Sequence, residues 1–225
     1  MEFTMYDTLL QLPLFQGLGK NCITDILSKV KFHFKKHQPG ETVIKQGDEC
    51  LHVCFLFNGS LLAETLGRDN RYTFYERMTI PGMIEPYSLF GLRPRYHSSY
   101  VAETEISTLS IEKQALLDVL LQYEACKYNF ANTVCCRGQY LHQRIWSDYA
   151  GDLRVRFISF LLLRSQRLAG YKRLRVKMED LAYLLNDCRL NVSKMLNGLS
   201  GDGLVNLRRK EIEIPALEKL LPLLD

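Results

Sequence analysis

The 225-residue sequence predicts an α+β protein in which a β-rich first half precedes a long helix and a mostly helical last third. Short segments of β-branched and aromatic residues alternate with turn signals from Val30 to Ile111. These turn signals stop after Ile111, and residues 112–149 contain one Gly and no Pro. Beyond residue 150, helical periodicity recurs three times before a final pair of strand-like segments.

A short helix is predicted over residues 20–30, where five apolar residues repeat with helical spacing. Turn signals then fall at residues 39–40, 47–48, 58–59, 67–70 and 81–82, at the spacing of an all-β barrel or sandwich. The Asn58-Gly59 pair predicts a hairpin between residues 52–57 and 60–66, because a type I′ turn needs positive φ at both positions.

Residues 112–149 are predicted to form one helix, and about 30 helical residues would extend ~45 Å, more than one small domain buries. A narrow apolar stripe, interrupted by Arg137, favours pairing with a second copy of the same helix. A helix lying along its own β-rich domain is the alternative, and one helix can do both. The predicted seam consists of Phe130, Val134, Arg137, Leu141 and Ile145.

The last third has the layout of a winged helix-turn-helix. Helices are predicted over residues 154–168, where Gly170 follows, and over 177–185. A short turn at residues 186–188 precedes another helix up to Leu199. Residues 204–214 then predict a hairpin with a basic tip, and the segment PALEKLLPLL predicts a helical tail. In this fold the second helix of the pair enters the major groove of DNA.

The helix within LNDCRLNVSKMLNGL separates its residues into two faces. Its apolar residues, Val192, Met195, Leu196 and Leu199, follow the i, i+3, i+4, i+7 pattern of a core-facing side. Its polar side contains arginine and asparagine, which contact guanine and adenine bidentately. A solvated face is the alternative, but the winged layout favours DNA. The predicted DNA-binding residues are Arg189, Leu190, Asn191, Ser193, Lys194 and Asn197, with Arg208, Arg209 and Lys210 in the wing.

The composition agrees with a nucleic-acid-binding protein of the cell interior. The net charge of +4 and the pI near 8.6 are mildly basic. No run of about eighteen apolar residues exists, so we expect no membrane span. The first residues lack the basic segment and cleavage site of a signal peptide, which predicts a cytoplasmic location.

The seven cysteines do not predict a disulfide framework, because their number is odd and their spacing irregular. No C-x-x-C occurs, so we expect neither a metal site nor an iron–sulfur cluster. Thiols that pack as small apolar side chains are the better interpretation.

Four segments, taken in order, resemble the superfamily of the cyclic AMP receptor protein and the fumarate–nitrate reduction regulator. They are LPLFQGLGKNCITDIL, HQPGETVIKQGDECLHVCFLFNGSLLAE, the long helix, and EDLAYLLNDCRLNVSKMLNGLSGDGLV. The resemblance implies a cyclic-nucleotide-binding-type β-roll (a jelly roll) over residues 1–111, a dimerisation helix over 112–149 and a winged helix-turn-helix over 150–225. It also implies a homodimer on a pseudo-palindromic DNA operator, with RNA polymerase as a further partner. By position, the family's base-reading sites fall on Arg189, Leu190 and Lys194.

The resemblance fails at the phosphate-binding segment of the cyclic AMP branch, which uses Gly-Glu and then Arg-Ser. Glu85-Pro86 and Tyr96-His97 occupy those positions here, and Glu85 and Arg95 each lie one residue early. A shift of one residue in a strand sends a side chain to the opposite face. We therefore do not expect cyclic AMP to bind, since a buried phosphate without its arginine is costly. The candidates for a pocket with a different ligand are Glu85, Tyr87, Arg95, Tyr96, His97, Leu141 and His142.

The sequence supports a DNA-binding regulator better than it supports the alternative functions. The iron–sulfur branch needs clustered N-terminal cysteines, and only Cys22 lies there. The haem-binding branch has no sharp motif to test, so haem stays open, as does a roll without any ligand. A metal-dependent enzyme of the cupin type is the alternative, but the chain contains no H-x-H, and the familiar hydrolase, protease and nucleotide motifs are missing too. We therefore expect a protein that is not an enzyme.

Overall fold

The computed structural model describes residues 5–78, 80–145 and 151–224. The chain divides into two compact units. The first comprises Met1–Leu62 and Met78–Gln139, and the second comprises Ala63–Arg77 and Tyr140–Asp225. The chain therefore enters the second unit twice, first for a short internal segment and then for its last third.

The first unit is the predicted β-rich part, preceded by helices α1 (Met5–Gln11) and α2 (Lys20–Lys29). Its strands are β1 (His33–His37), β2 (Thr42–Ile44), β3 (His52–Asn58), β6 (Gly82–Ile84), β7 (Ser99–Ala102) and β8 (Ile106–Glu112). The four-stranded sheet has the order β1-β8-β3-β6, and a further pair joins β2 and β7. All these pairings are antiparallel. Alternate apolar residues of β3 and β8, such as Phe55 and Leu109, are fully buried and form the core with Phe15.

The hairpin predicted at Asn58-Gly59 is wrong. Strand β3 pairs with β8 and β6, whereas β4 (Leu61–Leu66) belongs to the other sheet, beside β5 (Tyr72–Met78). Gly59 does have a positive φ of 75°, but Asn58 does not. A Cβ at Gly59 would lie 2.4 Å from the carbonyl oxygen of Glu105, so the glycine is needed where the chain leaves one sheet for the other.

The single helix predicted over residues 112–149 is also wrong. Helix α3 (Lys113–Asp118) is followed by a 3₁₀ turn at Leu120–Gln122, and the long helix α4 covers Glu124–Ile145. Leu116 and Leu120 are fully buried on either side of the interruption between α3 and the 3₁₀ turn. Tyr123 adopts an extended backbone and its hydroxyl donates to the Asp25 carboxylate. The 22 residues of α4 make it ~33 Å long. The predicted residues 146–149 lie outside the described residues.

The second unit contains the elements of the predicted winged helix-turn-helix. They are α5 (Leu153–Arg164), β9 (Lys172–Val176), α6 (Met178–Leu184), α7 (Arg189–Gly201), β10 (Asn206–Arg208), β11 (Glu211–Ile214) and a 3₁₀ tail at Leu217–Leu223. Their core includes Leu161, Leu181, Leu196 and Ile212. Helix α5 ends at Arg164 rather than 168, because the Ser165 hydroxyl and N–H both satisfy the last carbonyls. Strand β9 was not predicted.

The internal segment Ala63–Arg77 of the second unit contains most of strands β4 and β5. There β5 pairs antiparallel with β9, from Tyr72 opposite Val176 to Glu76 opposite Lys172. The strand order in this unit is β10-β11-β9-β5-β4. Phe74 and Leu174, which are partners in the register, are both buried in its core. The winged sheet therefore gains two strands that the predicted boundaries at residues 111 and 149 assign to the β-rich segment.

Candidate nucleic-acid interface and effector pocket

The turn between α6 and α7 fixes where the candidate recognition helix begins. Asn186 has a positive φ of 49°, a conformation that asparagine tolerates better than most residues. The N–H of Asp187 donates to the Ala182 carbonyl at 3.0 Å, and the N–H of Asn186 donates to the Tyr183 carbonyl at 3.1 Å. These bonds end α6 and make Cys188 the N-cap of α7, which begins directly after the turn that the sequence predicts.

Asp187 holds the start of α7 in place. Its carboxylate accepts hydrogen bonds from the Cys188 N–H at 2.8 Å and from the Asn191 side-chain amide at 2.9 Å. Arg156 of α5 also donates to it, at 2.5 Å. The bonds from Asn191, then from Cys188, and the neighbouring Arg156 hold the pKa of this carboxyl below its usual range. Sequence reasoning missed Asp187 and Arg156, although an aspartate just before a helix start is a usable capping signal.

Helix α7 has the two faces that the sequence predicts. Val192, Leu196 and Leu199 are fully buried, and Met195 packs against the same core. Leu190 is 64% exposed, which leaves its methyl groups available to an apolar partner. The structure thus gathers the six candidates on one side of the helix, where Arg189, Leu190, Asn191, Lys194 and Asn197 are exposed and Ser193 is half-buried.

Arg189 lies at the first turn of α7, with one guanidinium nitrogen 3.0 Å from the Glu179 carboxylate of α6. Both side chains are mostly exposed. A surface pair of this kind contributes about 0–1 kcal/mol. The guanidinium can therefore leave Glu179 for a stronger bidentate partner at little energetic expense.

The wing consists of β10, β11 and the two-residue turn between them. Arg208, Arg209 and Lys210 are all exposed there, and Lys210 has a positive φ of 60°. Arg208 lies 3.5 Å from the Glu213 carboxylate across the hairpin. The three cations form the basic tip that the sequence predicts.

The pocket candidates of the first unit centre on Glu85, which is 1% exposed and has a positive φ of 39°. Its carboxylate accepts hydrogen bonds from the N–H groups of His97 at 2.7 Å and Ser98 at 2.9 Å. The hydroxyls of Ser88 and Tyr100 donate to it as well, at 2.7 and 3.0 Å. Every one of these donors belongs to the chain itself, so the carboxylate is already saturated. Sequence reasoning did not single out Ser88, Ser98 or Tyr100.

Only some of the other pocket candidates join Glu85. The His97 ring is mostly exposed, lies 2.9 Å from the Ser88 hydroxyl and packs against Tyr87, over which Arg137 also lies. Arg95 is exposed and donates to the Gly47 carbonyl at 2.8 Å and to the Glu49 carboxylate at 3.3 Å.

The remaining pocket candidates have separate environments. The Tyr96 hydroxyl donates to the His52 carbonyl at 3.3 Å, and burial raises its pKa. On α4, Leu141 is half-buried and His142 is exposed. The sequence therefore identified Glu85 and His97 as neighbours but could not show that their contact involves a backbone N–H.

All seven cysteines are free thiols. Burial raises the pKa of Cys54 and of Cys126 to about 12, so both stay protonated at neutral pH. The prediction of buried thiols is wrong for Cys135 and Cys136, on the solvent side of α4, and for Cys188. The described part of the chain brings no three His, Cys, Asp or Glu residues together as a metal site. None of its helices is long and apolar enough to cross a bilayer.

Two family models match the chain in succession. A cyclic nucleotide-binding domain matches residues 34–123, and a Crp-like helix-turn-helix domain matches residues 155–223. No curated protein sequence matches. Among solved structures, the catabolite activator protein of Thermus thermophilus is 21% identical, with 94% of this chain and 97% of that chain covered and a TM-score of 0.51. A CooA mutant from Carboxydothermus hydrogenoformans is 14% identical, with coverage of 96% and 95% and a TM-score of 0.52. At these identities the two structures support the fold.

Proposed function

We propose that this chain, which belongs to the superfamily of the cyclic AMP receptor protein and the fumarate–nitrate reduction regulator, binds a pseudo-palindromic DNA operator as a homodimer and does not use cyclic AMP as its effector. The observation that carries the proposal is the exposed polar side of α7, held by a buried apolar side and followed by a basic wing. The family match favours this function over a metal-dependent enzyme. As a transcription regulator, the protein is proposed to act together with RNA polymerase.

The proposed contacts divide into two kinds. Arg189 at the start of α7 is in the position from which a recognition helix reads base edges in the major groove. The wing cations, by contrast, are at a hairpin tip, and such groups usually contact phosphates, which carry no sequence information. This division gives the proposal its test, because the two kinds of contact respond differently to sequence and to salt.

Replacing Arg189 with alanine should relax the preference at one base pair of each half-site, since a bidentate contact to guanine discriminates by roughly 1–3 kcal/mol. Replacing Arg208 with alanine should weaken binding to all sequences alike and reduce the salt slope by about one per subunit. Selection from a random DNA library measures the first effect, and binding titrations at several salt concentrations measure the second. An unchanged selected motif for Arg189→Ala would mean that the polar side of α7 is only a solvated face.

The proposed loss of cyclic AMP binding rests on the saturated Glu85 carboxylate and on the outward contacts of Arg95. A phosphate placed beside Glu85 would meet a buried negative charge, and the Arg95 side chain is exposed and donates to the Gly47 carbonyl and the Glu49 carboxylate. Ligands that bind only the native state raise its thermal midpoint in proportion to the logarithm of their concentration. We expect no such rise with cyclic AMP, whereas an operator fragment should produce one in the same assay. A rise with cyclic AMP would overturn this part of the proposal.

A further inference from the structure

We infer that the Glu85 side chain is an internal ligand: its carboxylate occupies an anion-binding cradle in the β-rich unit that would otherwise bind a small carboxylate. The cradle consists of the His97 and Ser98 N–H groups and the Ser88 and Tyr100 hydroxyls. The inference rests on the proposed function and extends it, because a cradle filled by the chain's own carboxylate leaves no place there for an added anionic effector.

The composition of the cradle supports an anion site. Two successive backbone N–H groups and two hydroxyls converge on one carboxylate, all within 2.7 to 3.0 Å. Successive N–H groups that point into one concavity are a recurrent way of binding anions in proteins. The His97 Nδ1 is 3.4 Å from the same carboxylate and is the cationic candidate beside it when protonated. A buried carboxylate is stabilised here mainly by dipoles, as a bound anion would be.

The backbone at Glu85 supports the same inference. A positive φ of 39° is unfavourable for a residue with a Cβ, by roughly 1–3 kcal/mol. Such strain persists where surrounding contacts compensate for it. The four hydrogen bonds are made by the side chain of this same strained residue. The chain is thus bent at the point that delivers the carboxylate into the cradle.

The test removes the internal ligand and supplies a free one. Glu85→Gly deletes two methylenes and the carboxylate, and glycine also accepts the positive φ. Propionate has the same carbon chain as the deleted group. We expect Glu85→Gly to have a lower thermal midpoint than the wild type, and propionate to raise it by several degrees with the concentration dependence of a bound ligand. Acetate should be weaker, and propionamide, the neutral analogue, should have no effect.

Two controls separate a specific site from a general salt effect. The wild type keeps its cradle filled, and Glu105→Gly removes an exposed carboxylate from the same unit. Propionate should shift neither of them. A folded Glu85→Gly variant that propionate stabilises no more than propionamide does, or no more than it stabilises Glu105→Gly, would overturn the inference. If Glu85→Gly does not fold unaided, its refolding yield is measured with the same compounds, and a yield equal in propionate and propionamide overturns it too.

Operator binding by the wild type is measured separately from the rescue. A wild type that binds DNA, combined with an unrescued variant, overturns the internal ligand and leaves the proposed function intact. If propionate rescues the variant but the wild type does not bind DNA, the internal ligand is supported and the proposed function is overturned. The two failures are therefore distinguishable.

Discussion

Replacing Lys172 with methionine should lower the free energy of unfolding by about 3–5 kcal/mol, because it leaves a buried carboxylate without its cation. The Lys172 Nζ lies 2.8 Å from a Glu76 carboxylate oxygen, and Lys172 is only 1% exposed. The same carboxylate accepts from the N–H groups of Gln166 at 2.6 Å and Arg167 at 2.9 Å. Urea unfolding followed by circular dichroism measures the change.

Lys219→Met is the matched control, since it removes an exposed lysine of the same unit. It should change stability by no more than about 0.5 kcal/mol. Replacing Glu76 with leucine in the Lys172→Met background should recover stability, because an apolar pair of similar volume replaces the lone charge. Equal effects of Lys172→Met and Lys219→Met would show that the ion pair does not hold β5 on β9.

The variant Val134→Glu should be monomeric, because it places like charges opposite each other in the proposed seam of α4. Val134 is half-buried, with Phe130 of the same stripe packed edge-on against Phe90 at 5.9 Å. This contact lies within one chain, so α4 packs along its own β-rich unit, as the alternative prediction stated. The pairing of two copies stays a proposal. Light scattering measures the oligomeric state, and far-ultraviolet circular dichroism verifies that the variant is folded.

Asn132→Glu adds the same charge to an exposed position on the opposite side of α4 and should stay dimeric. An exposed stripe with heptad spacing, Tyr128, Ala131, Cys135 and Gly138, offers a second seam on the same helix. If Val134→Glu stays dimeric and Cys135→Glu does not, that stripe is the seam and the predicted one is wrong. Dimers of both variants would exclude α4 as the interface.

The parts of the fold that the sequence predicted are those encoded locally. Helix α7 follows from the spacing of Val192, Leu196 and Leu199, and the wing follows from a basic turn between two short apolar segments. The pairing of β5 with β9 has no local signal, because Glu76 and Lys172 are 96 positions apart. The wrong hairpin prediction at Asn58-Gly59 has the same origin, because a turn motif predicts that the chain turns but not which strand the next segment pairs with.

The candidate site shows the same limit. The exposed residues of α7 could be named in advance because helical periodicity assigns each side chain to a face. The Asp187 contacts and the Glu85 cradle depend on backbone N–H groups, which every residue except proline possesses. Residue identity alone therefore cannot show where such donors converge.

The hairpin formed by β4 and β5 has a consequence for how this gene could be recombined. If residues 151–225 were transferred alone, β9 would lose its neighbour β5 and would become an edge strand. An uncovered edge strand tends to pair with another chain. In the recombined protein Lys172 would also lack Glu76, the carboxylate with which it forms an ion pair. Exchange of the DNA-binding segment between relatives would then succeed only where the recipient already supplies a matching strand and carboxylate. In this chain the two regions belong to one compact unit, although Met78–Gln139 separates them in the sequence.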